Sequence, residues 1–398
     1  MIRSLFYYAQ NFSAIAASSN ERSLLLEELK RFSSGKIFKS NFTSLERRIA
    51  AEKAVNWLLL SQKNMKDNGI GSYHLVNGWS SSYPETTGYI IPTLIEFSKK
   101  YNQPSIAQHA IDAANWLLEV QMPSGGWPGM RLADNKPETI FNTGQVIRGI
   151  MAVYEKSGEQ KYLDAAIKAT EWLCENQDES YGYWRKFAFL GAARVYDSYV
   201  DAPILQVYLA TGNEKYKGFA LRNLYWIIEN KQLENGWFED CDNTIKHNDR
   251  PILHTISYTI DGLLDSANYL NDDDLLKAAK LPADVLLDKF LKDGYLNGRF
   301  DKDWNGSEYM ICTGCAQISI VWAKLFKIYK AEKYRIGVEK MNNILVGLQS
   351  RKNAIAETDG AISGSFPFWG KYEPFAFPNW ATKYFIDALM LEEEIRQD

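Results

Sequence analysis

Asn115-Trp-Leu-Leu-Glu-Val-Gln-Met-Pro-Ser-Gly-Gly-Trp127 reads as the tail of a helix, a turn and the start of a loop. The pattern returns at Asn56-Trp-Leu-Leu-Leu-Ser-Gln62, Glu171-Trp-Leu-Cys-Glu-Asn-Gln177 and Tyr225-Trp-Ile-Ile-Glu-Asn-Lys231. A weaker copy stands at Asn343-Ile-Leu-Val-Gly-Leu-Gln349, and a degenerate one near Leu286-Leu-Asp-Lys-Phe-Leu-Lys292. The first four copies are 54 to 59 residues apart. Self-similarity at such a period marks stacked supersecondary units rather than independent domains.

Ahead of each signature, apolar residues recur at helical spacing, as in Ala107, Ala110, Ile111, Ala114, Leu117 and Leu118. This predicts amphipathic helices over about 45–62, 104–121, 159–177, 213–231, 272–292 and 332–349. Between them lie segments apolar on most faces or rich in small residues, at about 87–100, 143–156, 198–211, 254–270, 312–330 and 380–394. Helices of that kind are buried. Six outer helices around six inner ones make an all-α (α/α)6 toroid, with 380–394 packing beside 45–62 to close the ring. Residues 1–40 form a lead-in with one helix around Glu21–Phe32, and 41–398 form a single toroid domain.

Apolar residues make up 46% of the 398, enough for a large core, and aromatic residues 14%, with 12 Trp and 23 Tyr. The net charge of -4 gives no broad basic surface for nucleic acid. Four Cys in so long a chain do not make a disulfide framework. No stretch of about 18 apolar residues exists to span a membrane, and no early apolar run resembles a signal peptide. The expectation is a soluble cytoplasmic protein, with oligomeric state left open.

The loops are unequal. Inner-to-outer connections such as Ser157-Gly-Glu159 are short, whereas outer-to-inner connections are long, the last running from Ser350 to Asn379. Long loops inside a compact domain are commonly functional. All six emerge at the end where the inner helices begin, and helix N-termini favour an anionic or hydroxyl-rich ligand. An axial pocket there is the expected site.

The candidate catalytic groups on those loops and first turns are Glu85, Asp240, Asp242, His254, Tyr258 and Tyr309. The candidate substrate-binding residues are Tyr83, Trp127, Arg131, Gln145, Tyr183, Trp184, Arg194, Arg299, Asp301, Trp304, Gln317, Trp369, Tyr372 and Trp380. Trp and Tyr beside carboxylates, Arg and amides suit a sugar: ring faces take the C–H side and polar groups the hydroxyls. Packing explains several of them as well. Trp127 sits in a repeat-locked turn, Glu85 is placed to cap a helix, and Asp240 and Asp242 lie in a charged loop. Cys312-x-x-Cys315 lacks the partners that zinc needs, so small-residue packing is its expected role, and neither metal nor cofactor is expected.

The series Tyr83-Pro-Glu-Thr-Thr-Gly-Tyr-Ile-Ile-Pro-Thr93, Ser124-Gly-Gly-Trp127, Thr143-Gly-Gln145, His254-Thr-Ile-Ser-Tyr258, Thr313-Gly-Cys-Ala-Gln317, Gly364-Ser-Phe-Pro-Phe-Trp-Gly370 and Pro378-Asn-Trp380 resembles a bacterial toroid family associated with surface-polysaccharide gene clusters. The resemblance runs from about residue 50 onward and implies a glycan connection without fixing a reaction. The toroid also resembles the six-hairpin glycosidases, toroidal polysaccharide lyases, N-acylglucosamine epimerases and terpene cyclases. The Asp-rich initiation motif of hopene-type cyclases is absent, and the zinc pattern of lanthionine cyclases is incomplete.

Three mechanisms follow for an oligo- or polysaccharide partner, uronic-acid-containing ones included. Hydrolysis needs two carboxyl groups flanking the glycosidic bond, from Glu85 with Asp240, Asp242 or Asp301. Uronate lyase or C5-epimerase chemistry needs an acid and a base, from His254, Tyr258 and Tyr309, with Arg131, Arg194 or Arg299 holding the carboxylate. A non-catalytic glycan-binding protein of a polysaccharide assembly machine would use the aromatics alone. Titratable groups converging on a concave end favour an enzyme, and the many loop carboxylates favour hydrolysis.

Overall fold

The computed structural model describes residues 2–351 and 355–396; residues 352–354, within the long loop expected from Ser350 to Asn379, and the ends at 1 and 397–398 lie outside the described residues. The outer helices are α3 (Ser44–Met65), α5 (Pro104–Glu119), α7 (Gln160–Glu175), α9 (Glu214–Asn230), α11 (Asp273–Asp293) and α13 (Glu332–Leu348). The inner helices are α4 (Pro84–Lys100), α6 (Ile140–Ser157), α8 (Ser198–Thr211), α10 (Leu253–Leu270), α12 (Cys312–Tyr329) and α14 (Asn379–Ile395). Each inner helix packs on the next, α14 returns to α4, and α14 also packs along α3. This is the (α/α)6 toroid expected from the repeat.

The repeated Gln holds the outer wall together. Its Nε2 donates to a backbone carbonyl of the next outer helix: Gln62 to His109 at 2.9 Å, Gln121 to Ala165 at 3.0 Å and Gln177 to Phe219 at 2.9 Å. Gln232, one residue past the register position held by Lys231, donates to Ala278 at 2.7 Å, and Gln349 closes the circle on Ala50 at 2.8 Å. Trp57, Trp127 and Trp184 donate their indole N–H to backbone carbonyls of Glu357, Leu117 and Leu173. A buried Trp needs such a partner, so a Trp that recurs in this repeat is a packing residue.

The inner helices touch backbone to backbone where glycine permits it. A Cβ on Gly149 of α6 would lie 2.2 Å from the Gly88 carbonyl oxygen of α4. Gly149→Ala should therefore force the two helices apart and lower stability by about 1–3 kcal/mol, read by urea denaturation. An unchanged midpoint would show that the crossing yields.

The axis is filled by tyrosines. Tyr89, Tyr199, Tyr258 and Tyr384 are all buried, with ring centroids 4.7 Å apart for Tyr199–Tyr258 and 5.6 Å for Tyr89–Tyr384. The Tyr384 hydroxyl donates to that of Tyr199 at 3.4 Å.

The lead-in differs from expectation. It holds two helices, α1 (Ile2–Ala17) and α2 (Ser19–Ser34), and a short 3-10 turn at Lys36–Lys39, instead of one helix. The hairpin docks on the last long loop: Phe12 packs on Phe375 at 5.0 Å and Trp369 at 6.0 Å, and Glu28 accepts the Phe368 N–H at 3.0 Å. No helix among the described residues is long and apolar enough to cross a membrane.

Candidate active site

Pro84 occupies the first turn of α4, where its missing N–H costs nothing and its fixed φ starts the helix. That sets Glu85 in the same turn, buried to 9% exposure. Its carboxyl does not cap the helix. Instead Oε2 accepts the Tyr83 hydroxyl at 2.7 Å. With the Asn142 amide turned to satisfy both its ends, Nδ2 donates to the same oxygen at 3.0 Å and Oδ1 accepts the Met130 N–H at 3.2 Å. Burial pushes Glu85 up to about 7, only partly opposed by the Tyr83 hydrogen bond. Near neutral pH it is thus a carboxyl group that can both hold and give a proton.

Aromatic groups wall this carboxyl. Tyr83 stands edge-on to Trp380 at 6.4 Å, and the Trp380 indole donates to the Tyr372 hydroxyl at 2.8 Å. Tyr372 packs on His254 at 5.4 Å, and His254 on Tyr258 at 4.4 Å. Burial holds the Tyr83, Tyr258 and Tyr372 phenols well above their ordinary value, so all three are protonated donors. His254, in the first turn of α10, lies 2.6 Å through Nδ1 from Gln317 Oε1. A carbonyl oxygen only accepts, so Nδ1 carries the proton. Burial lowers His254 to about 4, leaving it neutral with Nε2 unprotonated.

The family model of the β-L-arabinofuranosidase, GH127 catalytic domain, matches residues 85–290, more than half of the chain. The chain belongs to this family. It is therefore a glycoside hydrolase, an enzyme acting on carbohydrate. No curated protein matches it closely enough to be called a relative. Among solved structures it is similar in fold to an unsaturated glucuronyl hydrolase specific for heparin, with a TM-score of 0.72 at 15% identity over 89% of this chain and 99% of that one. Similar too are unsaturated glucuronyl hydrolases from Bacillus sp. GL1 (0.68; 14% identity; 86% of this chain and 96% of that one) and from Streptococcus agalactiae (0.66; 16%; 89% and 94%).

Of the residues singled out from sequence, the hydrolase brings Tyr83, Glu85, His254, Tyr258, Gln317, Tyr372 and Trp380 into one cluster at the axis, around the first turns of the inner helices. Others it places elsewhere. Asp242 is fully buried and accepts from Ile252 N at 3.1 Å, Thr244 N at 2.9 Å and Arg299 Nη1 at 2.9 Å, so it locks the loop ahead of α10. Arg299 also pairs with Glu308 at 3.2 Å. Asp240 pairs with Lys231 at 2.9 Å on the outer side. Asp301 accepts the N–H groups of Asp303 and Asn305 in a tight turn. Trp304 is buried, donating to Asn235 O at 3.1 Å.

Trp127 and Trp184 are the buried indoles of the outer wall, and Tyr183 packs on Trp226 of α9 at 4.9 Å. Gln145 is buried and donates to Tyr199 O at 3.2 Å. Trp369 and Tyr309 meet the N-terminal hairpin through Phe32, at 6.0 and 5.8 Å. Arg131 is partly exposed on the second long loop, next to Leu132, whose N–H donates to the Ser82 carbonyl of the first, whereas Arg194 is buried ahead of α8.

Two groups went unflagged from sequence, and a third, Asp197, stood on the third long loop with no role assigned to it. Asn142 orients Glu85, and Glu373 follows Tyr372 on the last long loop. Asp197, just ahead of α8, is pushed up to about 8 by burial, opposed by Arg194. An acid titrating near 4 when unfolded and about 8 when folded gives the folded state extra bound protons in between. Stability then falls as pH rises from about 4 to about 8 and is level above that. Asp197→Asn removes this slope, so the melting temperature should drop less than the wild type's between pH 5 and pH 9. An unchanged drop would mean that Asp197 is ionised in the fold.

A cavity of about 680 Å³ opens at the other end of the toroid, beyond the tyrosines. Part of its charge is paired within the wall: Lys324 bonds Asp261 at 2.6 Å and Asp265 at 2.5 Å, and Lys383 pairs with Asp387 at 2.7 Å. Cys312 and Cys315 are buried in α12, and no group of three or more His, Cys, Asp or Glu able to hold a metal occurs among the described residues.

Proposed function

We propose that the hydrolase cleaves its glycosidic bond in the axial cleft, with Glu85 as the general acid and Tyr83, Tyr372 and Trp380 against the sugar ring. The observation that carries this is the buried Glu85 carboxyl, poised near neutrality among aromatic rings and hydroxyl donors. The acid protonates the departing oxygen, and His254 and Tyr258 serve the sugar's hydroxyl groups.

An acidic sugar fits best. Arg131, whose charge reaches the Glu373 carboxyl without an ion pair forming, has a guanidinium fork that matches a carboxylate. The fold relatives are named for unsaturated glucuronyl groups, which supports the same choice. All four cysteines are unpaired, which supports a cytoplasmic location.

Proton NMR of uronate-bearing oligosaccharides and β-L-arabinofuranosides incubated with the enzyme tests the proposal. New reducing-end signals from the acidic glycans are expected. A vinyl proton, or loss of the uronate C5 proton without cleavage, would replace the hydrolytic reading with elimination or epimerisation at His254 and Tyr258. Cleavage of the arabinofuranosides alone would overturn the acidic-sugar reading.

A further inference from the structure

We propose that the hydrolase grips its glycan at a second place, a pocket of about 640 Å³ between the N-terminal lead-in and the last two long loops, walled by an arc of aromatic rings. The inference rests on the family's action on carbohydrate; its effect on turnover rests also on cleavage at Glu85. The arc runs Tyr309, Phe32, Phe366, Phe38, Tyr295, with centroids 5.8, 6.1, 6.1 and 6.2 Å apart in turn. The first three contacts are edge-to-face, a favourable arrangement in which the rings brace one another. Phe366 is buried at the back, whereas Phe32, Phe38, Tyr295 and Tyr309 remain 40–47% exposed. Exposed apolar surface gathered in one place marks a binding site.

Three parts of the chain build the arc. Phe32 lies near the end of α2 and Phe38 in the turn Lys36–Lys39, with Gly35 between them at φ 60. Tyr295 follows the end of α11, and Tyr309 comes just before the strand Met310–Ile311 that leads into α12. Phe366 stands opposite Met310 where the strands Ser365–Phe366 and Met310–Ile311 pair. All five rings lie outside residues 85–290, so the pocket is an addition to the span that the family model matches.

Polar groups complete the lining. Glu308 pairs with Arg299 at 3.2 Å and with Lys371 at 2.8 Å, and Arg299 pairs in turn with Asp242. Two charges of each sign therefore offset one another, which gives an ionic ligand no advantage. Asn297 Nδ2 donates to the Glu308 carbonyl at 3.1 Å, which fixes that side chain in the wall. Aromatic walls with a few placed polar groups, in a pocket of this volume, are the makeup of a small-molecule site. A sugar uses both parts: its C–H face lies on a ring, and its hydroxyls meet Lys371, Asn297 and the tyrosine hydroxyls. The back of the pocket is also tied to the axial cluster. Ser365 Oγ donates to the Tyr372 carbonyl at 2.7 Å, and the Tyr372 ring packs on His254 and accepts from Trp380. A glycan anchored at the cluster thus extends over Lys371 and Tyr372 to the rings. Contacts made away from the bond being cut are equal in the bound glycan and the transition state, so they lower KM without changing kcat.

Wild type, Tyr295→Ala and Phe38→Ala are compared; both side chains are exposed, so neither change opens a core cavity. The probes are a heparin hexasaccharide, which is acidic, and a β-L-arabinofuranosyl trisaccharide, which is neutral. Saturation-transfer NMR should show at least one of them bound, and each variant should weaken it about tenfold. On the glycan that is cleaved, KM should rise by the same factor at constant kcat. A 4-nitrophenyl glycoside of the released sugar, too short to reach the rings, should keep its wild-type kcat/KM. Equal affinity in all three proteins, or no binding of either probe, overturns the inference. So does a loss of kcat on the short glycoside, which would move the rings into the chemistry. Bound 1-anilinonaphthalene-8-sulfonate that neither glycan displaces would give the pocket to an apolar ligand instead, and a dimer dispersed by Tyr295→Ala would give it to a second copy. Ring-dependent binding of the neutral probe, with the acidic one left uncut, would keep this inference and remove the acidic-sugar reading.

Discussion

Glu85→Gln should lower kcat on a natural glycoside by about 10²–10⁴-fold while leaving the fold intact. Gln keeps the shape and can still accept the Tyr83 hydroxyl at its Oε1, so the change removes a proton and little else. The pH profile carries the sharper signature. A general acid works while protonated, and Glu85 is held at about 7, so the wild-type rate should fall as pH rises through that value. The variant should lack this limb. Asn142→Ala, which leaves Glu85 without its amide donor, should move the limb rather than abolish it. A Glu85→Gln variant with the wild-type rate and profile would remove Glu85 from the chemistry.

The largest stability effect is expected where the ring closes. Glu392 of α14 is 1% exposed and lies among Arg47 of α3 (3.2 Å), Asn342 of α13 (2.9 Å) and Arg396 (2.9 Å). Arg47 also donates to Asn343 Oδ1 at 2.7 Å and Phe42 O at 2.6 Å. Removing one partner of a buried pair strands the other charge, at a cost of about 3–5 kcal/mol. Arg47→Met should lie at the lower end because Arg396 remains. Replacing both charges, Arg47→Met with Glu392→Met, should recover most of the loss, since the stranded charge is then gone. Chemical denaturation of the two variants measures this; a double variant no better than the single would place the cost in packing.

The ring was legible in the sequence because its cause is local and repeated. Each Trp-Leu-Leu…Gln segment contains both the helix that presents the Gln and the periodicity that buries it. The copy near Leu286 lacks the Gln and was the one that read as degenerate. Helix α1 was missed because its packing partners, Trp369 and Phe375, lie more than 300 residues away, while Leu5 and Phe6 remain 66% exposed and blur its pattern.

The cleft was legible in part. Glu85, His254 and Trp380 stand in the first turns of inner helices, where topology alone directs them to the axis. A carboxylate that locks a loop and one that faces a substrate look identical in a string of letters. The N–H groups of Thr244 and Ile252 and the Arg299 guanidinium separate Asp242 from Glu85. Asn142 escaped notice because an amide does not titrate, and its importance lies in what it points at.

The tyrosine layer across the axis makes this toroid a cup rather than a tunnel. Tyr89, Tyr199, Tyr258 and Tyr384 form its floor, with Arg148 set against Tyr199 at 4.2 Å and Lys383 against Tyr384 at 3.9 Å from below. A polymer cannot thread through this floor, and under the reading proposed above a sugar released at Glu85 leaves on the side by which the next molecule arrives. Departing sugar and arriving glycan therefore compete for one doorway, and inhibition by the released sugar should be competitive with the glycan.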